Sequence, residues 1–135
     1  MGYDGCIAHT FIAGRNQYWE DIMEKASHVL SHALENAKPG IPVSILDKIP
    51  REELRKQGLP DYPHLSGHPI GGFYKPVIAG FVNYKLETNM VFAYEPTVYI
   101  QGKGGVRIEP HILITSSGYE ILTEFHVKLA RTGFE

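Results

Sequence analysis

Apolar positions recur at helical spacing along the first half of the chain and in short runs along the second. Between Gln17 and Lys38 they fall at Ile22, Ala26, Val29, Ala33 and Ala37, with Leu30 and Leu34 beside them. That is one face of a helix, and Pro39-Gly40 predicts its end. A second helix is predicted from an N-cap at Ser44 to Gly58, with Ile45, Leu46, Ile49 and Leu54 as its apolar face. Pro50 falls inside it and predicts a kink or a division in two. Before both helices, the run from Ile7 to Ile12 reads as a strand closed by Gly14. Beyond Gly58, prolines, glycines and aromatics punctuate β-prone runs at Val77–Tyr84, Met90–Tyr94, Val98–Ile100, His111–Thr115 and Tyr119–Leu122. Two helices followed by a series of strands predict a single α+β domain over residues 1–135 with an antiparallel sheet.

Bulk properties narrow the classes of function. At 135 residues and 43% apolar content the chain has enough material for one real core. A net charge of −2 gives no electrostatic footprint for nucleic acid. One cysteine excludes an internal disulfide framework and fits a reducing compartment. There is no apolar run near the ~20 residues that span a bilayer, and the first residues do not form a signal peptide. A cytoplasmic protein with no membrane partner is the expectation.

The chemistry concentrates in His68, Glu95 and Glu109. His68 stands in His64-Leu-Ser-Gly-His68-Pro-Ile-Gly-Gly72, where glycines let the backbone approach a ligand. Glu95 ends the apolar run Met90-Val-Phe-Ala-Tyr-Glu95-Pro96, and Glu109 ends Gly104-Gly105-Val-Arg107-Ile-Glu109. Carboxylates at the ends of apolar strands require protons, cations or metal. Salt bridges to Arg107 or Lys75 are one way to meet that need, and a divalent metal held with His68 is another. Elsewhere, Gly102-Lys-Gly104-Gly105 precedes no helix and reads as a turn between strands rather than a phosphate loop. His28 and His32, spaced i, i+4, lack the glutamate of a zinc-protease helix and read as ordinary side chains. Trp19 reads as a packing residue at the helix start.

The order of these segments resembles the C-terminal part of the pita-bread metallopeptidases, the superfamily of methionine aminopeptidases, prolidases and creatinase. That family reads Gly-His-Gly-Ile-Gly, then Gly-Met-Val-Phe-x-x-Glu-Pro, then Gly-Gly-Val-Arg-Ile-Glu-Asp. The tail Ile112-Leu-Ile-Thr115-Ser-Ser-Gly118-Tyr-Glu-Ile-Leu-Thr123 and the helical Ala33-x-x-x-Ala37-Lys-Pro-Gly40 are similar too. Glu95 and Glu109 stand 14 residues apart, the short spacing of the prolidase (Xaa-Pro dipeptidase) branch. The resemblance implies a truncated pita-bread domain, with two helices on a curved antiparallel sheet. It implies His68, Glu95 and Glu109 as metal ligands and His64 as a histidine near substrate.

Two departures accompany the resemblance. The family's second aspartate lies in Gly-Tyr-x-x-Asp-x-Thr-Arg-Thr-Phe, and here Gly2-Tyr3-Asp-Gly-Cys6-Ile-Ala-His-Thr10-Phe11 puts Cys6 at that position. The first aspartate would precede Met1. The expected site is therefore Cys6, His68, Glu95 and Glu109 around at most one divalent ion per chain, Mn, Co, Zn or Fe. The buried-thiol reading of Cys6 stays open beside it. Lys75 stands where the family has a second substrate-facing histidine and would offer charge to an oxyanion. Arg107 is the second substrate-side candidate, better suited to brace a glutamate. The expected activity is hydrolysis of a small peptide near its N-terminus by a metal-activated water, oriented or deprotonated by Glu95. An incomplete ligand set implies impairment, and the alternative is an inactive homologue or gene fragment acting as a binding or vestigial module. An Ile7–Ile12 strand left as an exposed edge would favour a homodimer.

Overall fold

The computed structural model describes residues 4–71, 76–123 and the backbone at 131–132. Helix α1 runs over Gln17–Leu34. Asn16 caps it, its side chain accepting from the Trp19 N–H at 3.3 Å, while Glu20 reaches back to the Asn16 N–H at 3.3 Å. The helix ends before the predicted Lys38, because tight turns take over at Asn36 and Ala37, whose N–H groups bond Ala33 and Leu34. Ala37 stays fully buried as the apolar stripe predicted.

Helix α2 spans Val43–Lys56 with Pro42 at the N-cap position and no side-chain cap, so Ser44, the predicted N-cap, lies inside the first turn instead. Its far end closes as expected at Gly58, whose φ is 69°. There the Leu59 N–H bonds the Leu54 carbonyl and the Gly58 N–H bonds that of Arg55, the paired bonds of a Schellman ending. Pro50 does not divide the helix. It removes the N–H that would serve the Leu46 carbonyl, and the Tyr94 hydroxyl, fully buried, donates to that oxygen at 2.6 Å instead. Tyr94→Phe is therefore expected to cost about 1–3 kcal/mol by leaving a buried acceptor unserved. In a Pro50→Ala background, where an amide takes the same carbonyl, urea denaturation should show a clearly smaller penalty. An equal penalty in both backgrounds would contradict the account.

The strands are β1 Ala8–His9, β2 Ile12–Ala13, β3 Gly67–Pro69, β4 Val91–Tyr94, β5 Thr97–Ile100, β6 Gly104–Glu109, β7 His111–Ile114, β8 Tyr119–Ile121 and β9 Arg131–Thr132. Two antiparallel sheets result, β1-β6-β5 and β3-β4-β7-β8, beside a short parallel pair of β2 with β9. Helix α1 packs on β5, β6 and α2. Met23, Leu30, Leu34, Leu46, Phe92, Tyr94, Ile112 and Ile114 form the centre of the core. The turn through Gly102, at φ 72°, joins β5 to β6 as predicted, and Trp19 packs against Gly104.

Two of the strand expectations change. The Ile7–Ile12 run divides, with β1 at the edge of one sheet beside β6 and β2 paired elsewhere. The Val77–Tyr84 run is not a strand, because its backbone is served piecemeal by two partners. Ile78 exchanges bonds with Ser66 and Gly67, whereas the Tyr84 carbonyl accepts from Val43.

Two direct strand-to-strand crossings join the large sheets, each at a Glu-Pro pair. Strand β4 leads through Glu95-Pro96 into β5, and β6 leads through Glu109-Pro110 into β7. A proline has no N–H to give a ladder, so each pair ends one pairing and frees the chain to enter another. Both carboxylates are thereby set at the seam between sheets.

Candidate metal centre

Strand β3 delivers His68 to that seam. Its register places Gly67 opposite Tyr94 and His68 opposite Ala93. The approach is too close for any side chain at 67, since a Cβ there would meet Ala93 O at 2.5 Å and Ile78 Cγ1 at 2.9 Å. His68 Nδ1 donates to the Pro69 carbonyl at 2.9 Å, which leaves Nε2 with its lone pair facing inward. Nε2 lies 3.4 Å from Glu109 Oε1 and 3.8 Å from Glu95 Oε1.

Cys6 enters from the other side. Ala8 pairs with Glu109 across β1 and β6, and His111 Nε2 donates to the Cys6 carbonyl at 2.9 Å. Thr10 fastens the same ladder by donating to the Arg107 carbonyl and accepting from the Arg107 N–H. Cys6 Sγ, a His68 ring nitrogen and a Glu109 oxygen all lie within 4.8 Å of one another.

Electrostatics separate the two glutamates. Glu95 is almost buried, and burial raises its carboxyl above the ordinary value, opposed by Arg107 and aided by Glu109. Arg107 donates from Nη2 to Glu95 Oε2, so this carboxylate already has a cation. Glu109 is fully buried, and among the described residues neither of its oxygens has a hydrogen-bond partner. Arg107 Nε stands 3.7 Å from it, an ion pair without a hydrogen bond. The exposed Cys6 thiol is raised above its usual value, first by the approach of the Glu109 carboxylate and then by burial. That approach falls short of the alignment that would satisfy either Glu109 oxygen.

These observations fit a divalent ion. A buried carboxylate without hydrogen-bond donors requires a positive partner. The 3.4 Å from His68 Nε2 to Glu109 is close to the span of two bonds of about 2.1 Å meeting tetrahedrally. A thiol, an imidazole and a carboxylate suit zinc best, and Fe(II) or Co(II) less decisively.

The other expected site residues are placed as follows. His64 lies between the rings of Tyr62 and Tyr99, its Nδ1 donating to the Leu65 carbonyl and its Nε2 3.3 Å from the Tyr99 hydroxyl. Arg107 holds Glu95, as a bracing residue would. Lys75 lies outside the described residues.

A network that sequence reasoning missed supports the His64–His68 segment. Arg51 on α2 uses all five of its donors, toward both Asp47 oxygens, Asp61, and the carbonyls of Tyr62 and His64. The Ser66 hydroxyl donates to the buried Asp47 at 2.6 Å, and the Ser66 carbonyl accepts from the Glu95 N–H at 2.8 Å. The only sequence signal was the i, i+4 spacing of Asp47 and Arg51.

Comparison with known proteins now decides the family. Residues 1–116 match the model of metallopeptidase family M24. The chain belongs to that family. An uncharacterised peptidase of Staphylococcus epidermidis is 40% identical over 99 residues, covering 70% of this chain and 28% of the relative. The X-Pro aminopeptidase of Thermotoga maritima superposes with a TM-score of 0.88 at 29% identity, over 96% of this chain and 38% of that one. The prolidase of Pyrococcus furiosus gives 0.83 at 35% identity, over 90% and 37%. A methionine aminopeptidase of Rickettsia prowazekii, 18% identical with a TM-score of 0.70, shares the fold. The fold is of the pita-bread type, and this M24 chain spans 28% to 38% of the length of the first three relatives. M24 metallopeptidases use divalent metals.

Proposed function

We propose that this chain carries a single-ion variant of the M24 centre and hydrolyses small Xaa-Pro peptides near their N-terminus at a reduced rate. The observation that carries the reading is the buried Glu109 carboxylate, without hydrogen-bond donors, facing His68 Nε2 and grouped with Cys6. Cys6, His68 and Glu109 would hold the ion, with Glu95 beside it as the proton-handling group. A divalent ion supplies polarisation of a carbonyl and lowers the pKa of water.

The remaining work falls to the protein's own groups. Glu95 has one oxygen held by Arg107 and the other, Oε1, directed toward His68. Oε1 is the atom that would take a proton from water and return it to the leaving amine, a role suited to a carboxyl raised by burial. His64, oriented by Leu65 and Tyr99, would contact the peptide. A reducing compartment such as the cytoplasm would keep Cys6 a thiol, and two copies pairing through the β1 edge belongs to the same proposal. A second reading, peptide binding without hydrolysis, is favoured by the Arg107 cation on Glu95.

Hydrolysis of an Xaa-Pro dipeptide after loading with Mn(II), Co(II) or Zn(II) tests the proposal. The expected result is a low rate that His68→Ala abolishes and Cys6→Asp, which restores the family's ligand, raises roughly 10- to 100-fold. Uptake of metal without hydrolysis in either protein would leave the binding reading. Absence of uptake would remove both.

A further inference from the structure

The network on α2 reaches the centre through one buried residue, Ser66, midway along the chain between His64 and His68. The Ser66 hydroxyl donates its one proton to Asp47 Oδ1 at 2.6 Å, so it accepts from the Tyr62 hydroxyl. Burial pushes the Tyr62 hydroxyl well above its usual pKa, which keeps it a donor. Arg51 holds both Asp47 oxygens and also donates to the His64 carbonyl at 2.8 Å. The main chain of Ser66 is held as well. Its N–H bonds the Ile78 carbonyl at 2.9 Å, and its carbonyl accepts from the Glu95 N–H at 2.8 Å. Pro96 has no N–H, so the Glu95 amide is the last donor that β4 offers before the chain crosses to the other sheet. Ser66 receives it.

We propose that Ser66, tied to Asp47 and Tyr62, is a positioning residue for the M24 centre that sets how His68 stands relative to Glu95. The inference rests on the single-ion reading above. Ser66 acts through two backbone links, one along the chain to His68 and one across to the Glu95 amide. A serine that only filled space could be an alanine. Here alanine would deprive Asp47 and Tyr62 of the hydroxyl they share and loosen the 64–68 segment from α2. His68 Nε2 lies 3.8 Å from Glu95 Oε1 and 3.4 Å from Glu109 Oε1. A small slide of that segment changes both gaps together, and ligand orientation depends on such outer partners. Asp47 carries the arrangement, because its two oxygens collect the donors of both Ser66 and Arg51. One buried carboxylate on α2 thereby fixes the segment at two points, at His64 through Arg51 and at Ser66 directly. That also gives the buried charge of Asp47 a purpose beyond the stability of α2.

Zn(II) affinity, measured by competition with a chromophoric chelator, is read together with the histidine ring NMR signals of the metal-free protein. Ser66→Ala is expected to weaken Zn(II) binding roughly 10- to 100-fold. It should also shift the ring signals of His64 and His68 while those of His28 and His32 on α1 stay in place. Tyr62→Phe keeps the ring that lies under Arg51 and removes the donor to Ser66. It should move both readings the same way by less, and it serves if Ser66→Ala does not fold. Ser66→Thr keeps the hydroxyl and should restore both. Asn16→Ala destabilises the chain by removing the cap of α1 and should leave the affinity unchanged. Parental affinity and unmoved His68 signals in Ser66→Ala and Tyr62→Phe would overturn the proposal, as would an equal loss of affinity in Asn16→Ala. If the parent takes up no Zn(II), the single-ion reading fails and the ring signals decide alone. Shifts that Ser66→Thr reverses then sustain the positioning role, and unmoved signals overturn it.

Discussion

Arg51→Ala is expected to remove about 3–5 kcal/mol of stability, a large part of what a domain this size has. Arg51 is mostly buried and makes five hydrogen bonds, while its guanidinium lies 4.1 Å over the Tyr62 ring. Its removal leaves Asp47 buried with Ser66 as its remaining donor among the described residues, and takes a donor from the carbonyls of Tyr62 and His64. An uncompensated buried carboxylate is the costly part, so Asp47→Asn in the same protein should recover a good share of the loss. Arg51→Lys should fall between, since an ammonium cannot reproduce the planar fork. Urea denaturation measures all three. A loss below about 1 kcal/mol for Arg51→Ala would place the network among ordinary surface pairs.

Glu109→Gln should change stability in opposite directions with and without metal. In chelated protein the substitution removes a buried charge whose oxygens lack hydrogen-bond partners, and a gain of about 1–3 kcal/mol is expected. With Zn(II) or Mn(II) present, the same substitution removes a ligand and the stabilisation that binding confers. Denaturation midpoints in chelator and in metal read both. If Glu109→Gln destabilises the chelated protein as well, Glu109 serves Arg107 and His68 as an ion-pair partner and the metal assignment loses its basis.

The contrast between these two predictions shows what was legible in the sequence. Glu109, Glu95 and His68 stand in short motifs bounded by glycine and proline, so their local geometry follows from a few neighbours. The strands β4, β5, β7 and β8 could likewise be read from apolar runs closed by turn residues. Cys6 could be placed only through the resemblance, because nothing in its own surroundings indicates where its sulfur lies. Arg51 reaches the carbonyls of Tyr62 and His64, 11 and 13 positions away, and backbone acceptors leave no mark on residue type. The same holds for Pro50. A break was the reasonable expectation, and the donor that rescues Leu46 comes from Tyr94, 48 residues further on. The Val77–Tyr84 run has β-prone composition, yet its partners are two separate segments, which composition does not encode. His28 and His32 were legible as a pair, but Glu53 joins them only once the helices cross.

Metal content by elemental analysis tests the central claim most directly. The protein is purified without chelator and compared with its His68→Ala and Cys6→Ala variants. The account predicts about one ion per chain in the parent and its loss in both variants. No uptake by the parent after incubation with Mn(II), Co(II) and Zn(II), or an ion that survives both substitutions, would contradict it.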